Sequence, residues 1–161
     1  MRIPPLAAWL ALAVPFCALP ACASAQGIAL MPLRFLDTSH EPADQAARHD
    51  ARLALMTEEI ARGLGGAGQV RVVTARDMDL ACPQASPPCL NRLAADGGSR
   101  RAVYVVVHKS STLILQVFVQ VMDVGAERLI ARRELSFRGD SDESWRKAGH
   151  FLAESIAPEL E

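Results

Sequence analysis

The stretch Ser111–Val124 reads STLILQVFVQVMDV, and its alternation decides the fold. Leu113, Leu115, Val117, Val119 and Val121 fall on one side of an extended chain, and Gln116, Phe118 and Gln120 on the other. A period of two with β-branched residues marks a half-buried strand. Just upstream, AVYVVVHK (Ala102–Lys109) alternates Val103, Val105 and Val107 with Ala102 and Tyr104. Both of its faces are apolar, as in a strand covered on two sides, so it is expected at the centre of the sheet. Downstream, RLIARRELSFR (Arg128–Arg138) supplies a third strand. Arg101–Arg138 is therefore predicted to be an antiparallel meander, the core of the fold.

The rest of the chain frames this meander. IALMPLRFL (Ile28–Leu36) predicts a first strand, with Pro32 placed where no ladder bond is needed or at a bulge, since it has no backbone donor. A helix is predicted over about Ala43–Leu64, because Leu53, Met56, Ile60 and Leu64 recur every three to four residues. Arg48, Asp50, Arg52, Glu58, Glu59 and Arg62 are assigned to its solvated surface, and Gly65-Gly66 to a left-handed stop. Gln69–Thr74 reads as a short strand, Ala75–Ala81 as a helical turn, and Cys89–Ala95 as a short helix closed by Asp96-Gly97-Gly98. The last helix, about Ser141–Ala157, is expected to bury Trp145, Ala148, Leu152 and Ile156, with Asp140 as its cap and Glu143 completing a capping box. The sum is one α/β (α+β-like) domain over residues 26–161. It would hold a single mixed sheet of about five strands, two main helices and one short helix.

The 161 residues, 50% of them hydrophobic and 22% charged, have a globular composition. A net charge of −1 gives no basic excess, so no nucleic-acid partner is expected. Residues 1–25 are set apart. After Arg2, Leu6–Leu19 carries no charge, and Ala23-Ser24-Ala25 matches the small-x-small cleavage site of a secretory signal peptide. The apolar run is too short, and too broken by Pro15 and Pro20, to span a membrane. An alternative end product exists, because Leu19-Pro20-Ala21-Cys22 resembles a lipobox that would leave a lipid-anchored Cys22. The unusual Pro20 and the good site downstream favour cleavage after Ala25, so an exported, periplasmic chain beginning at Gln26 is expected. In an oxidising compartment the remaining cysteines, Cys82 and Cys89, predict a local disulfide. Closing so short a loop contributes about 2–3 kcal/mol on the chain-entropy estimate. Cys-x6-Cys without a second ligand pair does not suit a metal site, and active dithiols favour Cys-x-x-Cys.

HKSSTLILQVFVQVMDV (His108–Val124) and FRGDSDESWRKA (Phe137–Ala148), with the DTS at Asp37–Ser39 and the paired cysteines, resemble an uncharacterised family of small secreted bacterial proteins. That family, a domain of unknown function, brings no activity with it. The order of elements resembles the amino-terminal α/β domain of the Tol-system protein TolB and the curli-secretion lipoproteins. The resemblance implies a non-catalytic adaptor domain in the cell envelope, though the propeller that follows this domain in TolB is missing here.

Candidate chemistry is sparse. His108, Lys109, Ser110 and Ser111 are placed at a turn, where a Ser–His pair could serve as nucleophile and base. Adjacent residues of an extended chain point to opposite faces, however, and no Gly-x-Ser-x-Gly elbow is present. Asp140, Asp142 and Glu143 could hold a hard cation, but they do not fit the EF-hand spacing, and capping explains them. His40, His49 and His150 are scattered, and no phosphate-cradling glycine motif follows a strand. No cofactor and no metal site are expected. The outer face of the meander mixes amide, aromatic, aliphatic and arginine groups: Ile114, Gln116, Phe118 and Gln120 beside some of Ile130, Arg132, Glu134 and Ser136. That composition suits an interface, provided the last helix does not cover it. The candidate binding residues are His108, Lys109, Ser111, Gln116, Phe118, Gln120, Arg138 and Trp145. The reading is a non-catalytic exported binding domain that contacts an envelope protein or a second copy of itself. A small hydrolase or metal-dependent enzyme using His108 or the Asp140 cluster, and a small-ligand carrier, are the alternatives.

Overall fold

The computed structural model describes residues 27–42 and 44–160. The leader, both of its processing outcomes and Cys22 lie outside them. The element order is β1 (Gly27–Leu30), β2 (Arg34–Asp37), α1 (Ala46–Leu64), β3 (Gln69–Val72), α2 (Ala75–Ala81), α3 (Pro87–Asp96), β4 (Ser99–Lys109), β5 (Ile114–Asp123), β6 (Arg128–Arg138) and α4 (Asp142–Ile156), then a 3₁₀ turn at Ala157–Glu159. The predicted α/β class and mixed sheet are observed. The strands run in the order β3-β1-β4-β5-β6, with β2 also paired to β4. β1, β2 and β3 are parallel to the sheet centre, and β4, β5 and β6 form the antiparallel meander.

The single first strand expected over 28–36 is two. Between Leu30, level with Val103, and Arg34, level with Val106, the chain advances four residues against three on β4. Pro32 sits in this break, where its missing N–H withdraws nothing from the ladder, while Met31 N–H still donates to Val103 C=O (3.0 Å). Both halves lie along β4, which makes β4 the buried centre of the sheet.

Two apolar layers follow from the alternation. On one face Val103, Val105 and Val107 of β4 and Leu115, Val117, Val119 and Val121 of β5 pack against Met56, Ile60 and Leu64 of α1 and Trp145, Leu152 and Ile156 of α4. Leu113, counted with that row in the sequence, lies before β5 and is 62% exposed. The other face carries a smaller cluster, in which Ala29 and Ala102 meet Met78 of α2 and Ala94 of α3. Cys82 and Cys89 are bonded, Cα atoms 5.8 Å apart, and tie α2 to α3.

Three local expectations are corrected. Gly65 closes α1 in a right-handed conformation (φ −58°), so the left-handed stop is absent there; Gly98 after α3 does adopt it (φ +74°). The cap of α4 is Ser141, not Asp140, and its box partner is Ser144, not Glu143: each side chain reaches the other's backbone N–H. Ile130 is the extra residue of a bulge in β6 and packs toward α4, away from the outer face.

How closely α1 and α4 approach is set by two glycines, and no local pattern announces it. A Cβ at Gly63 would lie 2.5 Å from Ala153 Cβ, and one at Gly149 3.1 Å from Met56 C=O. Gly63→Ala is expected to destabilise the protein by about 1–3 kcal/mol in urea unfolding, despite the better helix propensity of alanine. A neutral or stabilising result would show that the helices can part.

Candidate functional site

β1 leads by α1 to β3 on one side, and β3 leads by α2 and α3 back to β4 on the other. The chain thus reverses its winding beside β1 and β2, and in sheets of this kind the carboxyl ends of the strands flanking such a reversal form the natural crevice. Those ends are Asp37–Thr38 after β2 and His108–Lys109 at the close of β4. Thr38 N–H donates to Lys109 C=O (2.9 Å), and Thr38 Oγ1 is 2.8 Å from His108 Nε2. Asp37 accepts from Ser39 N–H and Oγ, which accounts for the DTS stretch as a turn.

Lys109 is not in the turn. The alternation that sends Val103, Val105 and Val107 inward carries Lys109 with them, and it is fully buried. Its ammonium donates to Glu41 and to Asp140 Oδ2 (2.8 Å). Asp140 also accepts from Arg52 Nη1 (2.6 Å) and Trp145 Nε1 (2.9 Å), and its Oδ2 lies 3.0 Å from His49 Nε2. Arg52 Nε reaches on to Asp142 (3.1 Å). Phe35 closes the group, its ring centroid 4.4 Å from His49 and 5.8 Å from Trp145. Burial alone would raise the Asp140 carboxyl; the bonds from Lys109, His49 and Trp145 and the Arg52 charge outweigh it and hold the group far below the usual carboxylate range. Burial likewise opposes the charge on Lys109, and its bonds to Asp140 and Glu41 outweigh it, raising its pKa.

Several sequence expectations change here. Lys109 was expected at a turn on a binding surface and is interior, because it continues a buried stripe; Trp145, also a candidate binding residue, is buried as the stripe of the last helix predicts. Arg52, assigned to the solvated side of α1, is 8% exposed. The Asp140, Asp142 and Glu143 carboxylates do not converge: the first two serve Lys109 and Arg52, and Glu143 pairs with Lys147 (2.6 Å). Among the described residues no group of three His, Cys, Asp or Glu side chains is arranged to hold a metal ion. His108 faces Thr38, whereas Ser111 Oγ accepts Ile114 N–H (3.2 Å) within the hairpin turn, so the two do not form a pair. His49, Glu41 and Arg52 were missed as partners. The available signal was the spacing His49, Arg52, Met56, which puts two polar residues on the apolar stripe of α1.

The outer face of the meander is assembled as read. β4–β5–β6 register sets Val106 beside Phe118 and Phe118 beside Glu134, Tyr104 beside Gln120 and Gln120 beside Arg132, His108 beside Gln116 and Gln116 beside Ser136. α4 packs on the opposite face, so it leaves this one open. α3 covers only the end at Ala102, where a groove of about 240 Å³ runs between Leu90 and Asn91 of α3 and Tyr104, Gln120 and Met122 of the sheet. Leu36 (51%) and Val106 (36%) stay exposed beside the half-buried Phe118 and Gln116. Arg138 is exposed and, with Ser111, Leu113 and Ile114, borders a shallow apolar crevice at the end of the hairpin.

The chain belongs to the family DUF3280, described as a protein of unknown function (DUF2380), which matches residues 26–156. No curated protein is similar to it. Among solved structures, the PelC dodecamer from Paraburkholderia phytofirmans is similar with a TM-score of 0.51 at 14% identity, over 88% of this chain and 91% of that one. TolB from Acinetobacter baumannii gives 0.50 at 16% identity, over 84% of this chain and 28% of TolB. The C-terminal domain of LpoB from Salmonella enterica gives 0.49 at 14% identity, over 74% and 87%. At these identities the similarity is one of fold, and the TolB-like layout is confirmed.

Removing one member of a buried ion group strands the others. Asp140→Asn is therefore expected to cost about 3 kcal/mol in urea unfolding at pH 7. A carboxyl with a depressed folded pKa stabilises the fold above its unfolded value and loses that contribution as pH falls toward the folded one. The gap between wild type and Asp140→Asn should accordingly narrow below about pH 4; a gap independent of pH would mean that charge at position 140 is not what matters.

Proposed function

We propose that this chain is an exported, non-catalytic domain of the cell envelope that binds another protein through the outer face of its meander. On this reading residues 1–25 are removed and 26–161 act as one domain. The observation that carries it is the part of the three-strand face that α3 leaves uncovered, presenting Val106, Phe118 and Gln116 together, with Gln120 at the rim of the α3 groove. An aromatic side chain ringed by amides, with Arg132 and Glu134 at its rim, has the make-up of an interface centre and its polar margin. The leader sequence, the disulfide and a fold shared with TolB and with PelC, which assembles as a dodecamer, support an envelope setting and a role in assembly. His108 and Ser111 would border the contact at the hairpin end.

A photo-crosslinking residue at position 118, used in the producing cell, is expected to capture a discrete partner. The same residue at Arg146, on the outward side of α4, should capture nothing comparable. Phe118→Glu should abolish the interaction while leaving the circular dichroism spectrum unchanged. Equal capture at both positions, or a Phe118→Glu protein that still binds, would remove the meander face from consideration.

A further inference from the structure

We infer that the groove between α3 and the sheet is a binding site for a small uncharged aromatic ligand that carries an amide or lactam edge. The residue that points to it is Asn91. Of the polar side chains buried among the described residues, His49, Arg52 and Lys109 are all paired in the group around Asp140. Asn91, on the buried side of α3 with Ala94, is only 8% exposed, and its side chain makes no hydrogen bond among the described residues. It lines the groove of about 240 Å³. Burying an amide without a partner costs stability, and asparagine is a poorer helix former than leucine, so folding alone gives this position no reason to be polar. A ligand in the groove supplies the missing partner.

The rest of the lining defines the ligand. Tyr104 and Gln120 are level across β4 and β5, and Ala102 and Met122 are level two residues along, so phenol, amide and thioether share one face beneath Leu90. No charged side chain lines the groove, and burial pushes the Tyr104 phenol above its usual pKa, so the walls stay neutral. An ionic ligand would lose its hydration there with nothing to pair it. The Tyr104 ring, the Met122 sulfur and Leu90 favour a flat aromatic body. Asn91, Gln120 and the Tyr104 hydroxyl can each donate and accept, which matches a group presenting a donor and an acceptor side by side. A volume of about 240 Å³ lies below the roughly 300 Å³ at which drug-sized sites begin, so the ligand has about one ring system. The site meets the protein contact proposed above only at Gln120 and does not depend on it.

Benzamide is the probe, with benzoate (the same shape, charged) and acetamide (the same edge, no ring) as controls. In heteronuclear NMR of the purified protein, benzamide should shift the Asn91 side-chain amide signals with a Kd of about 1–10 mM, and each control should bind about tenfold more weakly or worse. Asn91→Leu should weaken benzamide about tenfold or more while leaving the melting temperature equal or higher, because it removes an unpaired buried amide. Gln120→Glu, at the exposed rim, places a charge against the neutral walls and should weaken benzamide by a similar factor without touching the fold, which keeps the test decisive if Asn91→Leu fails to fold. The site is overturned by benzamide that moves no Asn91 or Tyr104 signal up to about 50 mM, by benzoate that binds as well, or by either variant binding benzamide as the wild type does.

Discussion

The carboxylate of Asp140 is the group on which the arrangement of elements depends. It lies in the corner between β6 and α4 and receives Lys109 from the end of β4, Arg52 and His49 from α1 and the indole of Trp145 from α4. Lys109 makes this necessary. As the last inward position of the central strand it cannot turn to solvent without breaking the alternation that buries Val103, Val105 and Val107. An ammonium left unpaired there would cost several kcal/mol. Asp140 and Glu41 neutralise it, Arg52 and Asp142 extend the pairing, and the charges nearly balance. Because breaking such a group is costly, the start of α1, the Glu41 segment and the β6–α4 corner are held in one relative position.

That position determines which surfaces are left over. With α1 and α4 bound to one another and to the sheet through the corner, the inner face is filled from Met56 to Ile156. α2 and α3, joined by the disulfide, are short and cover the other face only as far as Tyr104 and Met122. The meander projects beyond them, and Val106, Gln116 and Phe118 have no helix over them. The aromatic and aliphatic groups of that face are therefore a consequence of the fold's asymmetry: among the described residues there are four α-helices, but only two long enough to close a layer.

How much of this was legible varies with the physics involved. Strict alternation at Leu115–Val121 and the stripe Met56, Ile60, Leu64 are one-dimensional patterns, and the meander and both long helices follow from them. The Cys82–Cys89 bridge was also readable, because a pair so close in sequence has few other options. The polar corner was not readable, since Lys109, Asp140 and Arg52 are far apart in the chain and each has an ordinary local explanation as turn, cap or solvated helix residue. Only the phase of each residue, Lys109 with the inward valines and Arg52 with Met56, hinted that they were inside. Gly63 and Gly149 were equally silent, because close approach is a property of two helices together. The split of the first strand lay between these cases: Pro32 announced an irregularity but not its form.

The charges along β6 protect an open edge. An exposed eleven-residue edge invites indiscriminate strand pairing, and arginines along it are a common protection. Glu134 is the one acidic residue against four arginines, and the exposed Arg133 pairs with Glu159 (2.5 Å), so the edge as a whole stays cationic and resists pairing with another edge of like charge.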